Sequence, residues 1–241
     1  MILIENSPGG VPALFDTPRA QIRAETADEV MPALAALDAA QAEGRWIAGT
    51  LSYEAGYALE DRLSPLMPAG RRLPLLAFGI CDGPLPAGLF LQRAHDEAPT
   101  ASLDRAAASW SAEDHATAFA RVLDYIRAGD IYQVNLTMRM RSRRRGSALG
   151  LYGALRARQP VGHGAFVALP DMPTLISRSP ELFFETDPSG RIETRPMNGT
   201  TPRASNPAHD AALKLGLRNS ATDTADHHMT VPLLRNYLSR F

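Results

Sequence analysis

The sequence is short of cysteine, of long apolar runs and of net charge, and each shortage removes a class of explanation. Cys81 is the one cysteine in 241 residues, so no intrachain disulfide can form and a reducing, cytoplasmic setting is expected. With no basic residue close by in sequence, its thiol is expected to pack rather than react. No stretch approaches the roughly 20 apolar residues of a membrane span. Met1-Ile2-Leu3-Ile4 runs directly into Glu5, Asn6 and Ser7, where a signal peptide would carry a basic start and a longer apolar core. A formal net charge of -1 sets up no global field for nucleic acid or an anionic membrane, so neither is an expected partner. The basic run Arg139, Arg141, Arg143, Arg144, Arg145 lacks interleaved aromatics and reads as a solvated strand end and loop.

What is present is a chain with 45% hydrophobic residues, enough for a substantial core. Thr26 and Glu29 form a possible capping box for a helix carrying Val30, Leu34 and Leu37 on one face and ending near Gly44. Strands are expected at 46–53 and 75–80, separated by turns rich in proline and glycine. Ser111 with Asp114 opens a second helix that closes at Gly129. Residues 131–141 alternate strictly, with Tyr132, Val134, Leu136, Met138 and Met140 on one side, and predict a strand. A helix is expected over 148–158, and strands over 164–169 and 174–177. The run Asp187-Pro188-Ser189-Gly190 marks a hairpin between 183–186 and 191–195, and helices over 207–217 and 224–240 follow.

Hairpins and helices without regular alternation argue for an α+β fold of mostly antiparallel sheets with outer helices. The expected organisation is an N-terminal region over 1–93, a linker over 94–110 and a second domain over 111–241.

Two runs carry candidate chemistry. Glu181 follows Ser179-Pro180 and precedes Leu182, Phe183 and Phe184, apolar neighbours that disfavour a charged carboxylate and suit general-acid work. Beyond the hairpin, Pro196, Gly199 and Pro202 fix an unusual loop whose amides, with the Thr200 hydroxyl and Arg203, can converge on an anion. Asp223, Asp226, His227 and His228 share helical spacing, but no further Cys or His pattern supports a transition-metal site, and a polar helix end is the plainer reading.

Together with Gly49-Thr50-Leu51-Ser52-Tyr53-Glu54-Ala55, Gly129-Asp130-Ile131-Tyr132-Gln133-Val134-Asn135-Leu136 and Leu233-Leu234-Arg235-Asn236, these runs resemble the chorismate-binding family of anthranilate synthase component I, and most of all its aminodeoxychorismate synthase component I branch. The resemblance implies chorismate as substrate and replacement of its ring hydroxyl by an amino group in para-aminobenzoate and folate synthesis. It also implies ammonia from a glutaminase subunit and a magnesium ion on the ring carboxylate. By the same resemblance Glu181 is the general acid, Gly199 and Thr200 touch the substrate, and Gln133 stands where water-adding relatives carry a basic lysine. Asn198 occupies the position at which this branch carries a nucleophilic lysine, and asparagine cannot form that adduct. Asp226 occupies the position of a glutamate ligand to magnesium, one methylene shorter, and Pro232 replaces an aspartate. Family members continue into further strands and metal-ligating glutamates, so the resemblance implies a chain shortened at its C-terminal side with impaired turnover. Two other readings stay open: an anthranilate synthase-like activity, and a non-catalytic homologue that binds chorismate, a partner, or tryptophan near Asn6-Ser7-Pro8-Gly9-Gly10.

Overall fold

Alternation along the strand Leu76–Cys81 decides how the first of two units is layered. A computed structural model describes residues 1–7 and 9–240; Pro8, within the stretch expected to border tryptophan, lies outside the described residues. The first unit comprises residues 1–84 and 160–241, the second 85–159. Leu76–Cys81 is the middle strand of a three-stranded antiparallel sheet, flanked by Ala20–Ala24 and Trp46–Leu51. Successive side chains of a strand point to opposite faces. Ala77 and Cys81 therefore join Ala48 in one core cluster, where they meet Ile2, Ala13, Phe15 and Val167. Leu76 faces the other way and packs with Val30, Ala33 and Leu37 of the helix Ala27–Ala42.

The first cluster is completed by a second antiparallel sheet in which Ile2–Ile4 lies between Ala13–Phe15 and His163–Val167, with Leu175–Ser179 outermost. The unit is thus helix on sheet on sheet, and the α+β class follows from it. Cys81 is buried among aliphatic residues, and burial pushes its thiol pKa up, so it packs and does not act as a nucleophile. Leu182–Thr186 and Ile192–Arg195 form a separate hairpin. Its turn closes through the Gly190 amide donating to Asp187 O at 2.9 Å. The helices Pro207–Arg218 and Ala221–Leu238 end the unit.

In the second unit the helices Gly88–Glu97 and Ala148–Arg158 pack through Phe90, Ala94, Leu149 and Tyr152. The Phe90 and Tyr152 rings sit 6.5 Å apart. The expected linker at 94–110 is not irregular: it holds the end of a helix, a 3-10 turn at Ala98–Thr100 and short strands at Ser102–Leu103 and Ala107–Ala108. Leu103 and Ser102 pair with Arg144 and Arg145, and Ala107 and Ala108 with Arg141 and Met140.

The strand expected over 131–141 forms only at Met140–Arg141. Alternation specifies two faces, but a strand also needs a hydrogen-bonding neighbour, and 131–139 is assigned to no ladder among the described residues. Its apolar set is correspondingly open, with Tyr132, Val134 and Met138 all exposed.

The helix Ala112–Ala128 has no buried residue and depends on its caps. The Asp114 amide donates to Ser111 Oγ at 3.0 Å, and the Ser111 amide donates to the Asp114 carboxylate at 2.9 Å. The Ser111 amide, followed by the Ser111 hydroxyl, lowers the Asp114 pKa. Replacing Ser111 with alanine should cost about 1 kcal/mol and cause local loss of helicity, measurable by amide hydrogen exchange over the first two turns. Unchanged protection there would remove the cap from the account. Among the described residues no helix is long and apolar enough to cross a membrane.

Candidate functional site

Both motif runs lie in the first unit, and one long-range hydrogen bond joins them. Glu181 leads into the hairpin, and its Oε1 accepts the Met197 amide at 2.9 Å. The carboxylate therefore holds the start of the loop that follows the hairpin, residues 196–206, which has no regular secondary structure. Locally, Ser179 Oγ–H donates to Glu181 O at 3.0 Å and accepts the Glu181 amide at 3.2 Å. The apolar enclosure expected around Glu181 is absent: Glu181 is exposed, and Phe183 and Phe184 are 82% and 56% exposed. A two-stranded hairpin has no layer of its own to bury these rings.

The far end of the loop is fixed by charge. Arg203 donates from Nε and Nη2 to the Asp210 carboxylate at 2.8 and 2.7 Å, a forked geometry that fits guanidinium to carboxylate. The Ala204 amide donates to the same group at 3.0 Å. The Arg203 hydrogen bond, then the Ala204 amide, hold the Asp210 pKa at about 2, below its ordinary 3.8. The folded value is depressed, so the pair's contribution is complete above 3.8 and is lost as pH falls through about 2. Carboxyl NMR should give that low midpoint, moving back towards 3.8 in Arg203→Ala; an unchanged midpoint would show that Arg203 does not hold the loop.

Between these anchors, Asn198 and Gly199 meet the start of the last helix. Ser220 caps it, accepting the Asp223 amide at 3.3 Å. Asn198 Nδ2 lies 3.4 Å from His227 Nδ1. Gly199 lies so close to Asp223 that a Cβ there would fall 2.1 Å from Asp223 Oδ1. A cavity of about 440 Å³ opens here, lined by Asn198, Gly199, Leu217, Arg218, Asp223, Thr224 and His227.

The structure thus puts Asn198 and Gly199 on one short stretch of loop lining the cavity, while Glu181 lies ahead of the hairpin, outside the lining, and meets the loop only at the Met197 amide. Thr200 is exposed and does not line the cavity, and Asp226 sits half-buried on the last helix, also outside the lining. Gln133 belongs to the second unit, on the exposed 131–139 segment. The only lysine in the chain is Lys214, on the helix Pro207–Arg218, so no lysine elsewhere in the loop stands in for Asn198. Among the described residues no three His, Cys, Asp or Glu side chains group closely enough to hold a metal ion. Arg218, Thr224 and the contact of His227 with Asn198 were not legible beforehand; His227 stood out only by its spacing from neighbouring acids.

With the site in place, comparison with known proteins assigns the class. The chain belongs to the family described as chorismate binding enzyme, whose model matches residues 2–241. It is 35% identical to the aminodeoxychorismate synthase component 1 of Klebsiella aerogenes over 147 residues, 59% of this chain and 32% of that protein. It is 37% identical to the anthranilate synthase component 1 of Thermus thermophilus over 158 residues, 66% of this chain and 32% of that protein. The aminodeoxychorismate synthase component 1 of Escherichia coli matches at 36% over 128 residues, 53% of this chain and 28% of that protein. The matched stretch is therefore about a third of these relatives' length.

Proposed function

We propose that the chain binds chorismate in an aminodeoxychorismate synthase component I-like role, aminating it to 4-amino-4-deoxychorismate for para-aminobenzoate and folate synthesis in the cytoplasm. The observation that carries this reading is the Met197 amide bond to Glu181, which draws the two motif runs together. Ammonia, supplied by a glutaminase partner, adds to the ring; the bond to the departing hydroxyl breaks, and that hydroxyl takes the Glu181 proton and leaves as water. Asn198 forms no covalent adduct, so addition is direct. Gly199 and Thr200 contact the substrate and Gln133 belongs to the same reading. Magnesium belongs to it also, with Asp226 as one ligand.

Direct addition also favours a second reading, an anthranilate synthase-like reaction, which the 37% identity to the Thermus thermophilus protein supports equally well. Calorimetry of chorismate into the folded chain, with and without magnesium, tests the binding common to both. Glu181→Ala should weaken binding about tenfold, the scale of one lost charge-assisted hydrogen bond. Absence of heat from a chain that is folded by circular dichroism would overturn the proposal. Chromatographic identification of the aminated isomer separates the two reactions.

A further inference from the structure

The last helix grips the motif loop at two successive residues. Asp223 and His227 are one helical turn apart and so share a face. The first lies against Gly199 and the second brings its ring Nδ1 to 3.4 Å from the Asn198 carboxamide nitrogen, a pairing in which the tautomer with an unprotonated Nδ1 accepts. Without such a contact, a carboxamide on a loop outside regular secondary structure would turn about its own side-chain bonds, and ordering it on binding would carry an entropic cost.

We infer that His227 is a positioning residue that holds the Asn198 carboxamide in place as a fixed, neutral hydrogen-bonding group for a carboxylate-bearing ligand. The inference rests on the chorismate reading for the identity of that ligand, but not for the pair itself. One amide hydrogen of Asn198 is taken by His227, and the carbonyl oxygen and second N–H remain for a ligand hydroxyl or carboxylate. Arg218 lines the same cavity and is exposed, with no ion pair or hydrogen bond to another described residue, which supplies the cation a carboxylate requires. Asp223 is the one anionic group on that wall, and its carboxylate is directed at Gly199. A guanidinium beside a fixed carboxamide suits a hydroxy-carboxylate, and chorismate is one. The pair also gives the asparagine at 198 a role that its chemistry allows, since a carboxamide recognises by hydrogen bonds and does not attack.

A double-mutant cycle on chorismate affinity tests this. His227→Ala and Asn198→Ala should each raise Kd about tenfold, the value of one hydrogen bond near a charged group. The double variant should be no weaker than either single one. His227→Gln, which keeps an acceptor, should bind within about twofold of the unaltered chain, and Tm should not change across the set. Additive losses, an unaffected His227→Ala, or a failure of His227→Gln to rescue would overturn the proposal. Should the unaltered chain bind no chorismate, the functional reading fails and the pair is judged by NMR. The Asn198 side-chain amide signals, assigned by their loss in Asn198→Ala, must then shift to free-carboxamide values in His227→Ala and not in His227→Gln. Signals unmoved by His227→Ala would refute the contact.

Discussion

Glu5→Ala should destabilise the first unit by about 3–5 kcal/mol, because it removes one partner of a buried ion pair and leaves the other charge in place. Arg178 Nη1 donates to Glu5 Oε1, and the two side chains are only 9% and 8% exposed. Glu5 follows the strand Ile2–Ile4, and Arg178 lies on Leu175–Ser179; both strands pair with His163–Val167, so the ion pair spans the strand between them. Gly164 on that strand makes the room. A Cβ there would fall 2.3 Å from Arg178 Nη1 and 2.8 Å from Glu5 Oε1, so any larger residue displaces the pair. Urea or thermal unfolding measures the cost; for a unit of this size Tm should fall by roughly 6–20 °C. Replacing both partners, as Glu5→Met with Arg178→Leu, should cost much less, since burying two charges offsets most of what their attraction returns. A Glu5→Ala variant within about 1 kcal/mol of the unaltered chain would mean that water reaches Arg178 and that the pair behaves as a surface one.

That ion pair joins residues 173 positions apart, and nothing in the local pattern announces it. What the sequence made legible is what short-range chemistry decides. Thr26 and Glu29 set the start of the first helix, where the Glu25 and Thr26 amides donate to the Glu29 carboxylate at 2.7 and 3.0 Å. Ser111 and Asp114 set another, and the Asp187 to Gly190 turn closes the hairpin where its residue types require it. The strands expected over 75–80 and 164–169 form, at Leu76–Cys81 and His163–Val167, because both find neighbours on either side. The period-two pattern over 131–141 did not yield a strand, since alternation describes the strand's faces and says nothing about who supplies the next ladder. Residues 94–110, expected as a linker, carry two-residue pairings with 140–145 that only the fold reveals.

The candidate site divides along the same line. Glu181 in one run and Asn198 and Gly199 in the other were recognisable as motifs, and the structure ties the first to the loop of the second through a backbone amide that no side-chain pattern encodes. Apolar neighbours in sequence suggested a sheltered Glu181, but Phe183 and Phe184 stand open on a hairpin, so adjacency did not become enclosure. The contacts of His227 and Asp223 with residues 24 to 29 positions earlier arise from the helix phase at Ser220. That phase is a tertiary fact, fixed only when the cap and the loop meet.

Gly199→Ala should therefore be the most damaging small change for ligand binding, raising the Kd for chorismate about 5–150-fold, the equivalent of the 1–3 kcal/mol that overpacking typically costs. Its backbone is not in the left-handed region, so alanine carries no conformational penalty there and the substitution isolates the effect of space alone. The added methyl would lie 2.1 Å from Asp223 Oδ1, 2.4 Å from its Cγ and 2.9 Å from its Cβ. Turning the carboxylate aside relieves the first two contacts but not the third, so the loop must retreat from the helix. That retreat pulls Asn198 away from His227 and opens the cavity wall that both residues form. Asp223→Gly in the Gly199→Ala background removes all three clashing atoms and should recover a substantial part of the affinity. Calorimetry on the two variants distinguishes the outcomes. Recovery shows that steric contact between loop and helix sets the geometry of binding, whereas a Gly199→Ala chain that binds as the unaltered one does would show that the loop reaches chorismate from a position independent of the helix.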